Sequence, residues 1–297
     1  MRIATFEAGG APRVGLVEGE RVLDLAAARK RLDGVEGPAT VLELIASPDG
    51  LASARSVLGR AGPAPDDWHK LDAVGLLAPI PRPAKNVFCV GRNYKLHIEE
   101  AARMRGAEPS YPKVPEFFTK PPTTVVGPGV DIRLPNVTKK LDYEVELAFV
   151  IGKTGRDIRA EDAAKHIFGF TIVNDVTARE LQIEHGQWFK GKGLDTSCPM
   201  GPWIVTADAF DISKGHRISL TVNGETRQDE RTSDMLFDCA QIVESLSAGL
   251  TLEAGDIIAT GTPSGVGFIP PVWLKDGDVI EASIEGIGSL RNTVRAV

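Results

Sequence analysis

The segment Leu141-Asp142-Tyr143-Glu144-Val145-Glu146-Leu147-Ala148-Phe149-Val150-Ile151 constrains this chain more than any other. Its first half alternates acid with apolar or aromatic residue, and its second half is unbroken apolar. Successive side chains of a strand face opposite ways, so Asp142, Glu144 and Glu146 share one face while Tyr143, Val145 and Leu147 share the other. The apolar run predicts that the strand enters a core and carries its acids with it. Carboxylates on one face of a half-buried strand repel each other unless a cation neutralises them. Carboxylate oxygens suit Mg²⁺, Mn²⁺ or Ca²⁺. Taken alone, a solvated polar face on an edge strand explains the segment equally well.

The remainder reads as many short strands joined by turns. Among 297 residues there are 31 glycines and 20 prolines, more than a helical repeat would tolerate. Residues 1–30 alternate as a small β unit turning at Gly19-Glu20, and 38–59 have helical spacing with Thr40 as a candidate cap. Breakers crowd from Ala61-Gly62-Pro63-Ala64-Pro65 to Pro79-Ile80-Pro81-Arg82-Pro83, which places a boundary near residue 78. Strands are expected at 141–151, 168–174, 202–206, 217–223, 256–260 and 278–284, and helices at 160–166, 176–184 and 234–248. Asn223-Gly224 and Asp276-Gly277 are hairpin-type dipeptides. The expected class is α+β, mainly β, with a small α/β unit over 1–78 and a larger unit over 79–297.

Composition narrows function. A net charge of -6, from 34 basic and 40 acidic residues, lacks the basic excess of a nucleic-acid binder. No apolar run approaches the ~20 residues of a membrane span. Met1-Arg2-Ile3-Ala4-Thr5-Phe6-Glu7 meets an acid and then two glycines too early for a signal peptide. Cys89, Cys198 and Cys239 are odd in number and far apart, which fits a reducing compartment. A cytoplasmic protein acting on a small molecule is the expectation.

Several further residues carry chemistry. Asp175 ends the apolar strand Phe168–Asn174 and could join Glu144 and Glu146 as a third oxygen ligand; in isolation it reads as a helix cap. His97 and Glu100 share a helix face, and a carboxylate beside imidazole suits a general base acting on water; an incidental surface pair has the same spacing. The loop Trp188–Pro202 brings Lys190 and Lys192, and a lysine near a divalent ion can stabilise an enolate. Lys190 reads as solvated. The glycines of Ala259–Gly267 would let backbone amides approach an anion, with Thr262 adding a hydroxyl. Lys120-Pro121-Pro122 opens a rigid loop of no evident purpose, and Cys198 reads as a small buried residue rather than a nucleophile.

Taken in order, Gly91-Arg92-Asn93-Tyr94-x2-His97-x2-Glu100, Lys120-Pro121-Pro122, Asp142-Tyr143-Glu144-Val145-Glu146-Leu147, Asn174-Asp175-Val176-Thr177-Ala178-Arg179, Gly191-Lys192-x2-Asp195-Thr196-x-Cys198-Pro199-x-Gly201-Pro202, Gly261-Thr262-Pro263-x-Gly265 and Ile284-Glu285-Gly286-Ile287-Gly288-x-Leu290-Arg291-Asn292 resemble the fumarylacetoacetate hydrolase family. The resemblance covers roughly 84–297, and residues 1–75 are similar to the small N-terminal domain that many members carry. It implies a mixed β-roll or β-sandwich catalytic domain, a homodimer, and Mg²⁺ or Mn²⁺ (with Ca²⁺ as a further candidate) held by Glu144, Glu146 and Asp175. It implies that His97 and Glu100 activate water, that Lys192 faces a developing enolate, and that Arg92, Tyr94, Gln182 and Thr262 contact substrate. It further implies a lid over 102–117. Lys192-Gly193 departs from the Lys-Ser of many members and loosens that loop without removing a catalytic group.

The activity so implied is hydrolysis of a carbon–carbon bond in a 2,4-dioxo acid, an acylpyruvate or a fumarylacetoacetate-like compound. A metal-dependent oxaloacetate decarboxylase, or an isomerase of 2-hydroxyhepta-2,4-diene-1,7-dioate, would use the same site without an attacking water. A non-catalytic binding protein on this fold would be expected to lose a metal carboxylate, and none is lost here.

Overall fold

The computed structural model describes residues 1–63, 65–268 and 271–297; Ala64, inside the breaker-rich stretch, lies outside them. The alternating N-terminal residues form antiparallel strands β1 (Arg2–Ala8), β2 (Ala11–Glu18) and β3 (Arg21–Asp24). The β reading of 1–30 ends at Asp24, whose carboxylate accepts from the Ala27 amide and caps α1 (Leu25–Asp33). The helical stretch 38–59 is two helices, α2 (Val41–Ala46) and α3 (Gly50–Arg60). Thr40 caps α2 as its position suggests, and Ser47 turns extended because Pro48 follows it.

β4 (Trp68–Lys70) and β5 (Gly75–Leu77) follow, and then β6 (Val87–Gly91), α4 (Lys95–Met104), β7 (Glu116–Lys120), β8 (Val125–Val126) and β9 (Ile132–Leu134). Next come β10 (Leu141–Asp142), β11 (Val145–Ile151), β12 (Ile167–Asn174), β13 (Thr177–Ala178), α5 (Arg179–Glu184), α6 (Phe189–Lys192) and β14 (Cys198–Thr206). The chain finishes with β15 (Arg217–Val222), β16 (Glu225–Arg231), α7 (Cys239–Ser247), β17 (Ile257–Ala259), β18 (Val279–Ile284) and β19 (Gly288–Ala296).

A 12-stranded sheet runs β4-β3-β2-β1-β14-β12-β11-β17-β6-β7, with β5 added to β1 and β8 to β14. Arg2 faces Val205 and Ile3 faces Ile204, so the N-terminal strands belong to the same sheet as β14. A five-stranded sheet, β16-β15-β18-β19-β9, packs over one face, and β10 pairs with β13 alone.

β11 sits between two cores. Val145, Leu147, Phe149 and Ile151 pack with Ile218, Leu220, Ala282 and Leu290 of the second sheet and Ile242 of α7. Ala148 and Val150 point the other way, toward Leu16, Val41, Leu44 and Val57. Burial on both faces is why the run carries no polar residue after Glu146. Each such Phe, Ile or Leu contributes ~1.5–3 kcal/mol relative to exposure. Every residue from 141 to 151 is buried, which excludes a solvated polar face.

Local departures from the expected elements have local causes. The strand 141–151 breaks at Tyr143-Glu144. Residues 160–166 form a 3-10 turn, Ala160–Lys165. The helix expected at 234–248 is only α7, because Asp238 and Gln241 form a reciprocal capping box that fixes its start. Asn223-Gly224, with φ of 53 and 81, makes the tight hairpin between β15 and β16. Asp276-Gly277 turns the chain into β18 without joining two described strands.

Candidate active site

Antiparallel pairing assembles the acids. Val145 lies opposite Asn174 and Glu146 opposite Val173. Just past the ladder, the Asp175 amide donates to the Glu144 carbonyl at 2.8 Å, and the Glu144 amide donates to Asn174 Oδ1 at 2.9 Å. These bonds bring one carboxylate oxygen from each of Glu144, Glu146 and Asp175 within 4.8 Å of one another, all three residues buried. Asp175 is no helix cap. Its oxygens go to Lys120 and Lys192, and α5 begins only at Arg179, after the short strand β13.

The charges around this triad are unevenly compensated. Lys192 Nζ donates to Glu144 Oε2 and to Asp175 Oδ2, each at 2.7 Å. Arg179 donates to Asp142 Oδ2 at 2.8 Å and to Glu144 Oε1 at 2.5 Å. Burial alone would push the Glu144 carboxyl up, but Lys192 and Arg179 outweigh it and hold it at about 2. Glu146 goes the other way. Burial raises it, and the negative charges of Asp175 and Glu144 raise it further, well above the usual carboxylate range. Burial disfavours the Lys192 ammonium, yet Asp175 and Glu144 overcome this and raise its pKa. Three converging buried oxygens, one of them short of positive charge, are a donor set that fits a hard divalent cation.

Above the triad lies a cavity of about 490 Å³ lined by Arg92, His97, Glu100, Glu144, Glu146, Gln182, Lys192 and Thr262. The amphipathic α4 presents His97 and Glu100 to it from adjacent turns. His97 Nδ1 is 3.9 Å from Glu100 Oε2, too far for a hydrogen bond, and that nitrogen has no partner among the described residues. Glu100 Oε2 instead accepts from the Gly265 amide at 3.0 Å. Gln182 Oε1 accepts from Arg179 at 3.1 Å. Arg92, at φ 50, pairs with Glu116 and donates to the Ser110 carbonyl at 3.1 Å. Tyr94 is different. It is fully buried, it does not line the cavity, and its hydroxyl has no described partner. The Thr262 hydroxyl is committed to the scaffold, donating to the Val145 carbonyl at 2.9 Å and accepting from Gln228 at 2.8 Å. Residues 102–104 finish α4, and Tyr111 of the following irregular segment donates to Glu99 at 2.8 Å.

The glycine-rich loop does bind anions through its amides, and they are the chain's own. Gly261 N–H reaches Glu146 at 2.8 Å, Gly265 N–H reaches Glu100, and Gly267 N–H reaches Asp142 at 2.7 Å. Burial drives the Cys198 thiol to about 12, as expected of a residue that is not a nucleophile. Lys190 is exposed, as read. The sequence gives no role to two groups of the site, Lys120 and Arg179, nor to the pairing of Arg179 with Asp142. Their only signal was membership of Lys120-Pro121-Pro122 and of Asn174–Arg179.

Known proteins place this geometry. The model of the fumarylacetoacetate (FAA) hydrolase C-terminal domain matches residues 86–295. The oxaloacetate tautomerase YisK of Bacillus subtilis is 45% identical over 99% of this chain and 100% of its own length. The fumarylacetoacetate hydrolase structure from Exiguobacterium antarcticum is 44% identical, covers 100% of both chains and superposes with a TM-score of 0.81. A maleylpyruvate hydrolase structure from Sphingobium, in complex with manganese(II) and pyruvate, is 31% identical over 100% of this chain and 99% of that one, with a TM-score of 0.78. No described helix is long and apolar enough to cross a membrane. With the family model spanning most of the chain and relatives matching its whole length, the chain belongs to the fumarylacetoacetate hydrolase family.

Proposed function

We propose that this chain is a divalent-metal-dependent enzyme that interconverts the keto and enol forms of a small 2-oxo dicarboxylic acid, oxaloacetate being the first candidate. The observation that carries the reading is Lys192, whose ammonium is shared between two members of the carboxylate triad in the wall of a cavity that also holds His97. A fixed positive charge beside a proton-transfer group is what an enolate requires. The full-length similarity to a protein named oxaloacetate tautomerase supports it.

Glu144, Glu146 and Asp175 would hold the metal, with Mg²⁺ or Mn²⁺ preferred and Ca²⁺ third. When bound, such an ion polarises the keto group and stabilises negative charge on its oxygen. The chain's own residues supply the rest. Lys192 Nζ, fixed by Glu144 and Asp175, adds positive charge next to the enolate oxygen. His97 accepts the proton from the carbon beside the carbonyl, Glu100 stands near enough to stabilise the imidazolium, and the imidazolium then returns the proton to the oxygen to complete the enol. Arg92 and Gln182 offer donors to a carboxylate.

A second reading keeps the site and changes the reaction. The nearness of His97 and Glu100 favours activation of water and hydrolysis of a 2,4-dioxo acid, as the similarity to maleylpyruvate hydrolase also suggests. Oxaloacetate decarboxylation and isomerisation of a 2-hydroxydienedioate use the same residues.

The test uses protein stripped of metal and assayed with and without Mn²⁺ on oxaloacetate, acylpyruvates and a 2-hydroxydienedioate, with products followed by proton NMR and enol absorbance. Metal-restored exchange of enol and keto oxaloacetate without release of pyruvate supports the first reading. Release of pyruvate plus an acid from acylpyruvates moves the function to hydrolysis, and CO₂ from oxaloacetate moves it to decarboxylation. Activity indifferent to metal removal refutes the metal-dependent reading altogether.

A further inference from the structure

Lys120 is fully buried at the end of β7. Its ammonium donates to Asp175 Oδ1 at 2.7 Å, to the Val176 carbonyl at 3.2 Å and to the Lys192 carbonyl. An ammonium has three hydrogens, so these acceptors satisfy it completely. The other oxygen of Asp175, Oδ2, takes the Lys192 ammonium at 2.7 Å. The Lys192 carbonyl is gripped a second time by Ser197 Oγ at 2.8 Å. Pro121 follows at φ -65, which fixes the chain leaving the lysine. Burying a lysine this deeply costs desolvation that its partners must offset, whereas the same charge at the surface would need none.

We propose that Lys120 is a positioning residue for the metal centre. It holds Asp175 by Oδ1 while Oδ2 shares the Lys192 ammonium with Glu144 Oε2, and it ties that orientation to the backbone of Lys192. One cation thereby aligns a metal ligand and the enolate-facing lysine. The proposal rests on the metal-dependent reading above.

Positioning and simple charge predict opposite signs. Deleting an ammonium beside a ligand of a dication removes repulsion, so charge alone would tighten metal binding. Deleting the group that aims the ligand loosens it, and outer-shell partners of metal ligands typically contribute 10–100-fold in affinity.

The experiment measures Mn²⁺ binding by calorimetry for wild-type, Lys120→Met and Lys120→Gln proteins, with circular dichroism and melting in EDTA alongside. Lys120→Met keeps the length of the side chain without donors, and Lys120→Gln keeps a neutral donor. The expected result is a folded Lys120→Met protein with Mn²⁺ affinity lowered by about 10–100-fold and partial recovery in Lys120→Gln. Unchanged or tighter Mn²⁺ binding by Lys120→Met overturns the proposal. Failure of both variants to fold also overturns it, since Lys120 would then be a scaffold group. A wild-type protein that binds no Mn²⁺ overturns the metal centre itself, and this proposal with it.

Discussion

Replacing Arg179 with Met tests the electrostatic argument most directly. The guanidinium is buried between Asp142 and Glu144 and lies 4.8 Å over the Phe268 ring. Without it, Glu144 keeps Lys192, whereas Asp142 keeps, among the described residues, the Tyr143 and Gly267 amides, at 2.8 and 2.7 Å. Removing one partner of a buried ion pair costs ~3–5 kcal/mol, because a charge is left uncompensated. Unfolding entropy of ~2.1 cal/mol/K per residue gives roughly 0.6 kcal/mol/K for 297 residues. The melting temperature in EDTA should therefore fall by roughly 5–8 °C. Adding Asp142→Asn removes the stranded charge, so the double variant should be more stable than the two single losses predict, by about 0.5–3 kcal/mol. Thermal melts followed by circular dichroism read both quantities. An Arg179→Met protein melting within about 1 °C of wild type, or strictly additive losses, would refute the claim that Arg179 compensates these carboxylates.

Glu146→Gln should abolish Mn²⁺ binding in calorimetry while the fold survives, because it replaces one of three converging carboxylates with a neutral amide; undiminished affinity sinks the ligand assignment. Gly265→Ala should lower turnover and cost about 1–3 kcal/mol of stability. Gly265 has φ +92, and an added Cβ would lie 1.9 Å from the Arg227 carbonyl oxygen, so the turn must shift and its amide leave Glu100. Wild-type kinetics from that variant would show that the Gly265–Glu100 contact is dispensable. The Arg55–Asp208 pair joins α3 to the turn after β14, and the hydrogen bond from Arg55 lowers the Asp208 carboxyl to about 2 from 3.8. A depressed acid stabilises the fold above its unfolded value and loses that contribution as pH falls through its folded value. The melting difference between wild type and Arg55→Ala should be constant above about pH 5, be mostly lost by about pH 2 and vanish below it. Because the pair is exposed, it should not exceed about 0.5 kcal/mol. A difference that persists at the lowest pH would assign the effect to packing instead.

Much of the site was legible because it is written in local periodicity. A period of two put Glu144 and Glu146 on one face of a strand, and a period of 3.6 put His97 and Glu100 on one face of a helix. The apolar run after Glu146 announced burial on both sides of β11, and Asn223-Gly224 announced its hairpin. Local signals also misled where a neighbour overrode them. Pro48 cut one helical stretch in two, the Asp238–Gln241 box fixed a later start for α7, and Asp175 resembled a cap until cations from two other segments claimed its oxygens. Tyr94 sits in the motif beside His97, yet it is turned into the interior.

Periodicity, then, settles which residue types share a face and which segments must be buried. Which charges meet is settled by the packed fold. Lys120 finds Asp175 across 55 residues and Glu100 finds Gly265 across 165, separations at which no periodicity operates. Such partners are chosen by strand order and by the cost of leaving a buried charge or amide unpaired. The same cost sends Asp142 to Arg179 rather than to the triad and turns the glycine-loop amides onto the chain's own carboxylates.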